Sequence, residues 1–174
     1  MRIQLSDHSP EWAIVFAAEA ERIRAALGGG ALLIEHVGST SVAGLAAKPI
    51  VDILLVVSDS SDEASYAPEL ESAGYELRIR EPEFHEHRLF KLSAGDVNLH
   101  VLTVGSSEIE RYLLFRDRLR ANGDDRRRYE EIKRQLAARR WETVDEYASA
   151  KSEIVEDIIA SARACAIAEL RIES

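Results

Sequence analysis

The sequence predicts an α+β fold, in which a mixed sheet of four to five strands carries an N-terminal helix and a helical C-terminal layer. Three observations predict it. Apolar residues recur at helical spacing in the first 30 residues, runs typical of strands fill about residues 31–104, and helical periodicity returns over about residues 107–174. The 174 residues fit a single domain, 1–174, more easily than two.

The first helix is predicted to begin at Ser9 and Pro10, because serine is a good helix cap and proline suits the first helical position. The three glycines at 28–30 end it. Its apolar face comprises Trp12, Val15, Phe16, Ile23 and Leu27.

Five segments in the middle of the chain have the composition and alternation of strands. They cover residues 32–37, 50–57, 75–80, 87–92 and 97–104, with a turn at Ala94, Gly95 and Asp96 between the last two. A helix over about residues 62–73 ends at Gly74. The run at 50–57 is almost continuously apolar, which predicts a central strand.

Capping boxes mark two helix starts in the last third of the chain, Ser107 with Glu110 and Thr143 with Glu146. Asn122-Gly123 separates the first of these helices from the next.

The last helix is predicted to run unbroken, with Cys165 as a small core residue at the end of its apolar face. A lone cysteine cannot form an internal disulfide, which indicates a reducing compartment. The face comprises Val144, Tyr147, Lys151, Ile154, Val155, Ile158 and Ala162.

The charge balance argues against several classes of partner. Twenty-two basic and 31 acidic residues give a net charge of −9, so we expect no general duplex-DNA binding and no anionic-membrane binding. The N-terminus lacks a signal-peptide core, and no stretch approaches the ~20 apolar residues of a membrane helix. We therefore expect a soluble, cytoplasmic protein.

The most unusual residue is Asp52, an acid inside the apolar run at 50–57. Burying an unpaired carboxylate costs several kcal/mol or forces it to take up a proton, so a strand does not carry one there for stability. Either loop N–H groups or a pair with Lys48 satisfy Asp52, or it faces a polar cleft at the edge of the sheet.

Upstream of Asp52, the loop at 38–41 reads Gly-Ser-Thr-Ser. Glycine lets a backbone approach a phosphate closely, and successive N–H groups and hydroxyls donate to its oxygens. The same residues are also typical of an ordinary turn. This is not a Walker A loop, because Pro49 follows Lys48 where that motif needs serine or threonine.

With these residues the chain resembles the GrpB family, and the resemblance spans nearly the whole sequence. The blocks that carry it are His36-Val37-Gly38-Ser39-Thr40-Ser41-Val42, Gly44-Leu45-Ala46-Ala47-Lys48-Pro49-Ile50, Asp52-Ile53, His87-Arg88-Leu89-Phe90-Lys91 and Asp96-Val97-Asn98-Leu99-His100-Val101. The resemblance implies a nucleotidyltransferase-like fold, related to the DNA polymerase β superfamily.

The superfamily resemblance also implies a chemistry. In such enzymes a Gly-Ser pair holds the phosphates of a nucleoside triphosphate, and three acids bind two Mg²⁺ ions. Asp52 matches the first acid, the second position holds Leu54, and the third falls among residues 98–100, where alternation places Asn98 and His100 on one face. Candidate phosphate-binding residues are Gly38, Ser39, Thr40, Ser41, Lys48, Arg88 and Lys91.

With one acid missing, two Mg²⁺ ions cannot be held in the usual way. Three alternatives remain for His100: with Asp52 it holds one softer ion such as Mn²⁺ or Zn²⁺, it is a general base without metal, or it is a structural polar residue. His85 and His87 share a strand face, although such a pair is more typical of solvated side chains. Arg116 binds phosphate or pairs with Asp117 or a helix-end carboxylate.

Two functions follow. In one, the protein is a nucleotidyl- or phosphoryl-transferase for a small molecule, with Asp52 and His100 as its catalytic residues. In the other, the cleft is catalytically degenerate and binds a nucleotide or another anionic metabolite as an accessory module. Both predict that Ser39, Asp52 and His100 converge on one cleft.

Overall fold

The computed structural model describes residues 2–93 and 95–172. Within these residues the chain forms strands β1 (Leu33–Val37), β2 (Val51–Val57), β3 (Tyr75–Glu81), β4 (His87–Leu92) and β5 (Val97–Thr103). The α-helices are α1 (Glu11–Leu27), α2 (Ala67–Ser72), α3 (Ser107–Ala121), α4 (Gly123–Ala137), α5 (Val144–Ala150) and α6 (Ser152–Ile172). Of the turn expected at 94–96, Ala94 lies outside the described residues.

The strands form one mixed sheet in the order β1-β2-β5-β4-β3. β2 and β5 run parallel, and the other neighbouring pairs are antiparallel. The predicted α+β fold, with its N-terminal helix and C-terminal helical layer, is confirmed. β2 has a neighbour on each side, and every residue in it except Asp52 is buried, which explains its apolar composition.

Different helices cover the two faces of the sheet, and alternation along β2 separates these faces. Ile53 and Leu55 belong to the core that α1 and α2 cover. Leu54 and Val56 belong to a core on the other face, which α3 covers. Asp52 shares this second face. Helices α4 and α6 pack around α3 and complete the C-terminal layer.

Helix starts differ from the predicted ones by about one residue. Pro10, not Ser9, is the N-cap of α1, although the Ser9 hydroxyl accepts a hydrogen bond from the Glu11 N–H (3.2 Å). Ser106, not Ser107, caps α3. Thr143 caps α5 by accepting from the Glu146 N–H (3.1 Å), as the sequence predicts.

The helix predicted over 62–73 is interrupted. A 3₁₀ turn, Glu63–Ser65, precedes α2, and the two are separated by Tyr66, whose φ of −148° is not helical. Tyr66 is fixed there because its hydroxyl donates to the carbonyl of Ser60 (2.6 Å) and its ring is buried.

The predicted unbroken last helix is divided at Lys151 into α5 and α6. Tyr147, Ile154 and Ile158 are buried as expected, and the side chain of Val144 lies outside the described part of the chain. Cys165 is exposed, so the prediction of a core cysteine is wrong: residues 163–169 are all exposed because α6 extends past the packed body. None of the described helices is long and apolar enough to cross a membrane.

Candidate functional site

A cleft of about 240 Å³ opens on the α3 side of the sheet, where β2 begins. The loop between β1 and β2, the first residues of β2 and β5, and helices α4 and α5 enclose it. Its polar side chains are Ser39, Thr40, Lys48, Asp52, Asn98, Lys133, Tyr147 and Lys151. Four predicted site residues, Ser39, Thr40, Lys48 and Asp52, therefore meet in one place.

Asp52 is neither sealed in the core nor free. Its side chain is 28% exposed, and its Oδ1 accepts hydrogen bonds from Asn98 Nδ2 (3.0 Å) and His100 Nε2 (3.2 Å). Burial alone would raise the pKa of Asp52, but these two hydrogen bonds and the positive charges of His100 and Lys151 lower it below its ordinary value. Asp52 is therefore an ionised acceptor at neutral pH.

The second oxygen of Asp52 faces Gly38. A Cβ at position 38 would lie 2.7 Å from Asp52 Oδ2, and the φ of Gly38 is +71°, so only glycine fits. In this structure the close approach that the glycine permits is to the carboxylate. Among the described residues, the hydrogen bonds that reach this carboxylate all end on Oδ1, and Oδ2 accepts none of them.

Two arginines of α3 fix the loop that follows β1. Arg120 donates from Nε and Nη2 to the carbonyl of Ser41 (3.0 and 2.9 Å), and Arg116 donates to Glu35 (2.6 Å) and to the carbonyl of His36 (3.2 Å). Arg116 is thus held by protein groups, the second of its two predicted alternatives. The Ser41 hydroxyl donates to the carbonyl of Gly38 (2.6 Å) and does not line the cleft.

The structure does not bring Arg88 to the cleft. In the sheet Arg88 lies opposite Val101, the residue that follows His100 in β5. Because side chains alternate between the two faces, the Arg88 side chain points to the face opposite to that of His100. There its guanidinium is buried against Glu63 (2.6 Å) and Glu86 (3.1 Å). Lys91 lies opposite Asn98 but is exposed and outside the cleft lining.

Three lysines surround the cleft, although the chain has only four lysines among its 22 basic residues. Lys133 Nζ donates to the carbonyl of Ala46 (2.6 Å), and Lys151 Nζ lies 4.6 Å from the centre of the Tyr147 ring. Burial and the charge of Lys151 lower the pKa of Lys133 to about 7, and burial and the charge of Lys48 lower that of Lys151 to about 8.

Of these three lysines only Lys48 was predicted as a site residue from the sequence; Lys133 and Lys151 lie 85 and 103 residues further along the chain. The rarity of lysine in a chain rich in arginine was the available signal. Lysine is the basic residue whose charge burial can remove, whereas arginine stays charged.

The donor set does not fit the two-metal site that the superfamily resemblance implies. Leu54, at the position of the second acid, is fully buried in the core under α3. Both ring nitrogens of His100 have partners, since Nε2 lies 3.2 Å from Asp52 Oδ1 and Nδ1 lies 3.0 Å from His87 Nε2. The described residues contain no group of three or more His, Cys, Asp or Glu side chains placed to hold a metal ion.

Of the two histidines flanking Glu86, only His87 approaches the site. Its Nε2 lies 3.0 Å from His100 Nδ1. His85 instead lies near Glu108 of α3 (3.9 Å). The pair predicted from strand alternation is therefore not formed, because His85 and Glu86 adopt left-handed backbone conformations with φ of +55° and +52°.

Comparisons with known proteins agree with this fold. The model of the GrpB protein family matches residues 2–161. A UPF0157 protein of Halalkalibacterium halodurans is 57% identical over 162 residues, which cover 93% of this chain and 83% of that protein. The crystal structure of GrpB from Enterococcus faecalis is 30% identical, with a TM-score of 0.78 over 91% of this chain and 98% of the other. The Cid1 poly(U) polymerase with bound MgGTP has a TM-score of 0.55 at 15% identity, over 77% of this chain and 45% of the other, a likeness of fold alone.

Replacing Lys151 by methionine is expected to stabilise the protein at pH 7. The lowered pKa of Lys151 means that the ammonium is less favourable in the folded chain than in the unfolded one. We expect the free energy of unfolding to rise by on the order of 1 kcal/mol, or about 2–4 °C in Tm. The gain shrinks as the pH rises above about 8, because the folded wild-type lysine is then neutral.

The charge-matched control for thermal unfolding is Arg24→Met, at an exposed position of α1 on the other face of the sheet. Its Tm should stay within about 1 °C of the wild type, since surface substitutions have small effects. A Tm for Lys151→Met below that of the control would show that the ammonium stabilises the empty cleft.

Proposed function

We propose that this chain, which belongs to the GrpB protein family, binds a phosphorylated small molecule in the cleft where β2 begins. The observation that carries the proposal is the convergence of Lys48, Lys133 and Lys151 on a single cleft of a protein whose net charge is −9. Three partly desolvated ammonium groups in one place repel each other, and an anionic ligand removes that repulsion.

The lysines take the place that metal ions hold in a two-metal site. Each ammonium is a compact charge with three donors, suited to phosphate oxygens. The hydroxyls of Ser39 and Thr40 add donors beside them. The charge of the phosphates is therefore neutralised by the protein itself, and binding does not depend on a divalent cation.

Asp52 narrows the class of ligand. An ionised carboxylate repels phosphate, so its open Oδ2 suits a hydrogen-bond donor on the same molecule. A ligand with a phosphate group and a nearby hydroxyl or amino group satisfies both halves of the cleft. Nucleoside triphosphates and sugar phosphates have this combination.

Titration calorimetry with inorganic triphosphate and with ATP tests the binding, each in Mg²⁺ and in EDTA. We expect both probes to bind, with similar Kd values in the two media. Lys151→Met should weaken both by about tenfold or more, because a hydrogen bond to a charged group contributes about 1.5–3 kcal/mol.

Arg24→Met changes the net charge by the same amount at a site remote from the cleft, and its Kd should equal that of the wild type. Absence of binding by either probe, or equal weakening in both variants, would rule out a lysine-lined anion site. Binding that is lost in EDTA would show that the ligand binds through a divalent cation.

Anion binding should also draw protons into the cleft. The pKa values of about 7 for Lys133 and about 8 for Lys151 leave these amines partly neutral at pH 8, and an anion favours their charged forms. Affinity for sulfate, whose own charge is constant here, is expected to fall as the pH rises from 7 to 9. Calorimetry at pH 8 in two buffers of different ionisation enthalpy measures the proton uptake, which should be absent if the lysines are fully charged throughout.

A second candidate function is transfer of a nucleotidyl or phosphoryl group at the same cleft, which the open oxygen of ionised Asp52 favours. In that reaction an acceptor hydroxyl gives its proton to Asp52 Oδ2 while its oxygen attacks phosphorus. The bond from phosphorus to the leaving phosphate group breaks, and the electron pair leaves with that group, whose negative charge the lysines stabilise.

Release of pyrophosphate or phosphate from ATP, with water as the acceptor, tests the second function. Asp52→Asn keeps the shape of the side chain but removes the base, so turnover should fall by about 100-fold or more while inorganic triphosphate still binds. The same rate in wild type and Asp52→Asn would exclude Asp52 as the base. If the wild type releases neither pyrophosphate nor phosphate, the transfer function is excluded and only the binding function remains.

A further inference from the structure

Four titratable side chains form one line across the sheet, from the cleft to the protein surface. Asp52 Oδ1 lies 3.2 Å from His100 Nε2, His100 Nδ1 lies 3.0 Å from His87 Nε2, and His87 Nδ1 lies 2.6 Å from Glu81 Oε2. The four residues belong to β2, β5, β4 and β3, which are successive neighbours in the sheet. We call these four residues the carboxylate–histidine array.

The end of the array at Glu81 is exposed to solvent. The side chain of Glu81 is 45% exposed, whereas those of His87 and His100 are 8% and 15% exposed. The hairpin between β3 and β4 sets Glu81 directly opposite His87. Its turn is held by a hydrogen bond from the buried Ser60 hydroxyl to the carbonyl of Glu86 (2.7 Å).

A count of protons separates two states of this array. Each of its three contacts needs one hydrogen between two acceptor atoms, so three protons are required in all. Two neutral imidazoles carry two protons, and ionised carboxylates carry none. With both acids ionised, a hydrogen in every contact therefore requires a third proton on His87 and His100, which places one positive charge between the two carboxylates.

Burial and the positive charge of His100 lower the pKa of His87, whereas the hydrogen bond and the negative charge of Glu81 oppose that shift, so the third proton depends on Glu81. The Tyr112 hydroxyl lies 3.3 Å from His100 Nδ1, and burial raises the pKa of Tyr112, so it stays neutral. The other charged groups that act on the array are Glu108 and Arg111 of α3, Lys48 and Lys151 of the cleft, and Arg88 of β4 from the other face of the sheet. Arg88 has its own carboxylate partners on the opposite face of the sheet.

We propose that His87 and Glu81 are positioning residues for Asp52: they hold a third proton on the histidine pair, so that His100 always donates to Asp52 Oδ1. The Asp52 carboxylate is then fixed in rotation and in charge, with Oδ2 directed to the ligand. The effect of these residues on ligand binding rests on the proposed function. The number of protons on the histidine pair does not depend on it.

Nitrogen-15 NMR of the histidine side chains measures the proton count directly. At pH 7 the wild type should show three protonated nitrogens on His87 and His100 together, and Glu81→Gln should show two, because the second negative charge is gone. Glu81→Gln changes a half-exposed side chain and should leave the fold intact. The control is Glu76→Gln, an exposed residue of the same strand, which should retain three.

Affinity supplies the second readout. Glu81→Gln should weaken ATP about fivefold, because His100 then donates to Asp52 as a neutral imidazole, and leave inorganic triphosphate unchanged, since that probe has no hydroxyl for Asp52. Two protonated nitrogens in the wild type, or three in Glu81→Gln, would overturn the proposal, as would equal weakening of both probes. Three protonated nitrogens in the wild type, with no binding of either probe, would refute the proposed anion site but confirm the proton count of the array.

Discussion

The parallel pairing of β2 with β5 is the constraint on which the site depends. It sets Asp52 beside Asn98 and Leu54 beside His100, so that one carboxylate receives two donors from the neighbouring strand. A shift of one residue would turn Asp52 into the core under α1 and α2, away from Asn98 and His100. Gly38 then packs against the same carboxylate, so the loop after β1 is positioned by the acid that it faces.

Burial of the lysines around the cleft makes their charged forms unfavourable and so opposes stability. Lys133 is almost fully buried with one carbonyl partner, and the ring of Tyr129 lies 5.0 Å from its Nζ. These contacts satisfy part of the ammonium but leave its pKa well below the ordinary value. A buried cation that its own protein satisfies incompletely is typical of a site completed by a ligand.

The sequence predicted the fold well because its signals were local. The apolar run of β2 and the alternation in β5 predicted strands to within one residue at each end, and the anomaly of Asp52 pointed to the site. The site itself depends on packing between distant segments. Lys133 and Lys151 reach the cleft only because α4 and α5 fold over the start of β2, which no local pattern reveals. Arg88 was selected for its charge, but its pairing with Val101 of β5, which the sequence does not reveal, turns its side chain to the other face of the sheet.

Leucine at position 54, where the superfamily pattern has its second acid, is part of the packing of the sheet face under α3. Leu54 contributes to the core formed with Leu102 and Val56, against which Ile109 and Leu113 of α3 pack. An acid there would place a second carboxylate in an apolar layer. The helix that fixes the loop through Arg116 and Arg120 is the same helix that fills this space. The arrangement that secures the loop therefore excludes the second acid, and positive charge reaches the cleft from α4 and the α5–α6 junction instead.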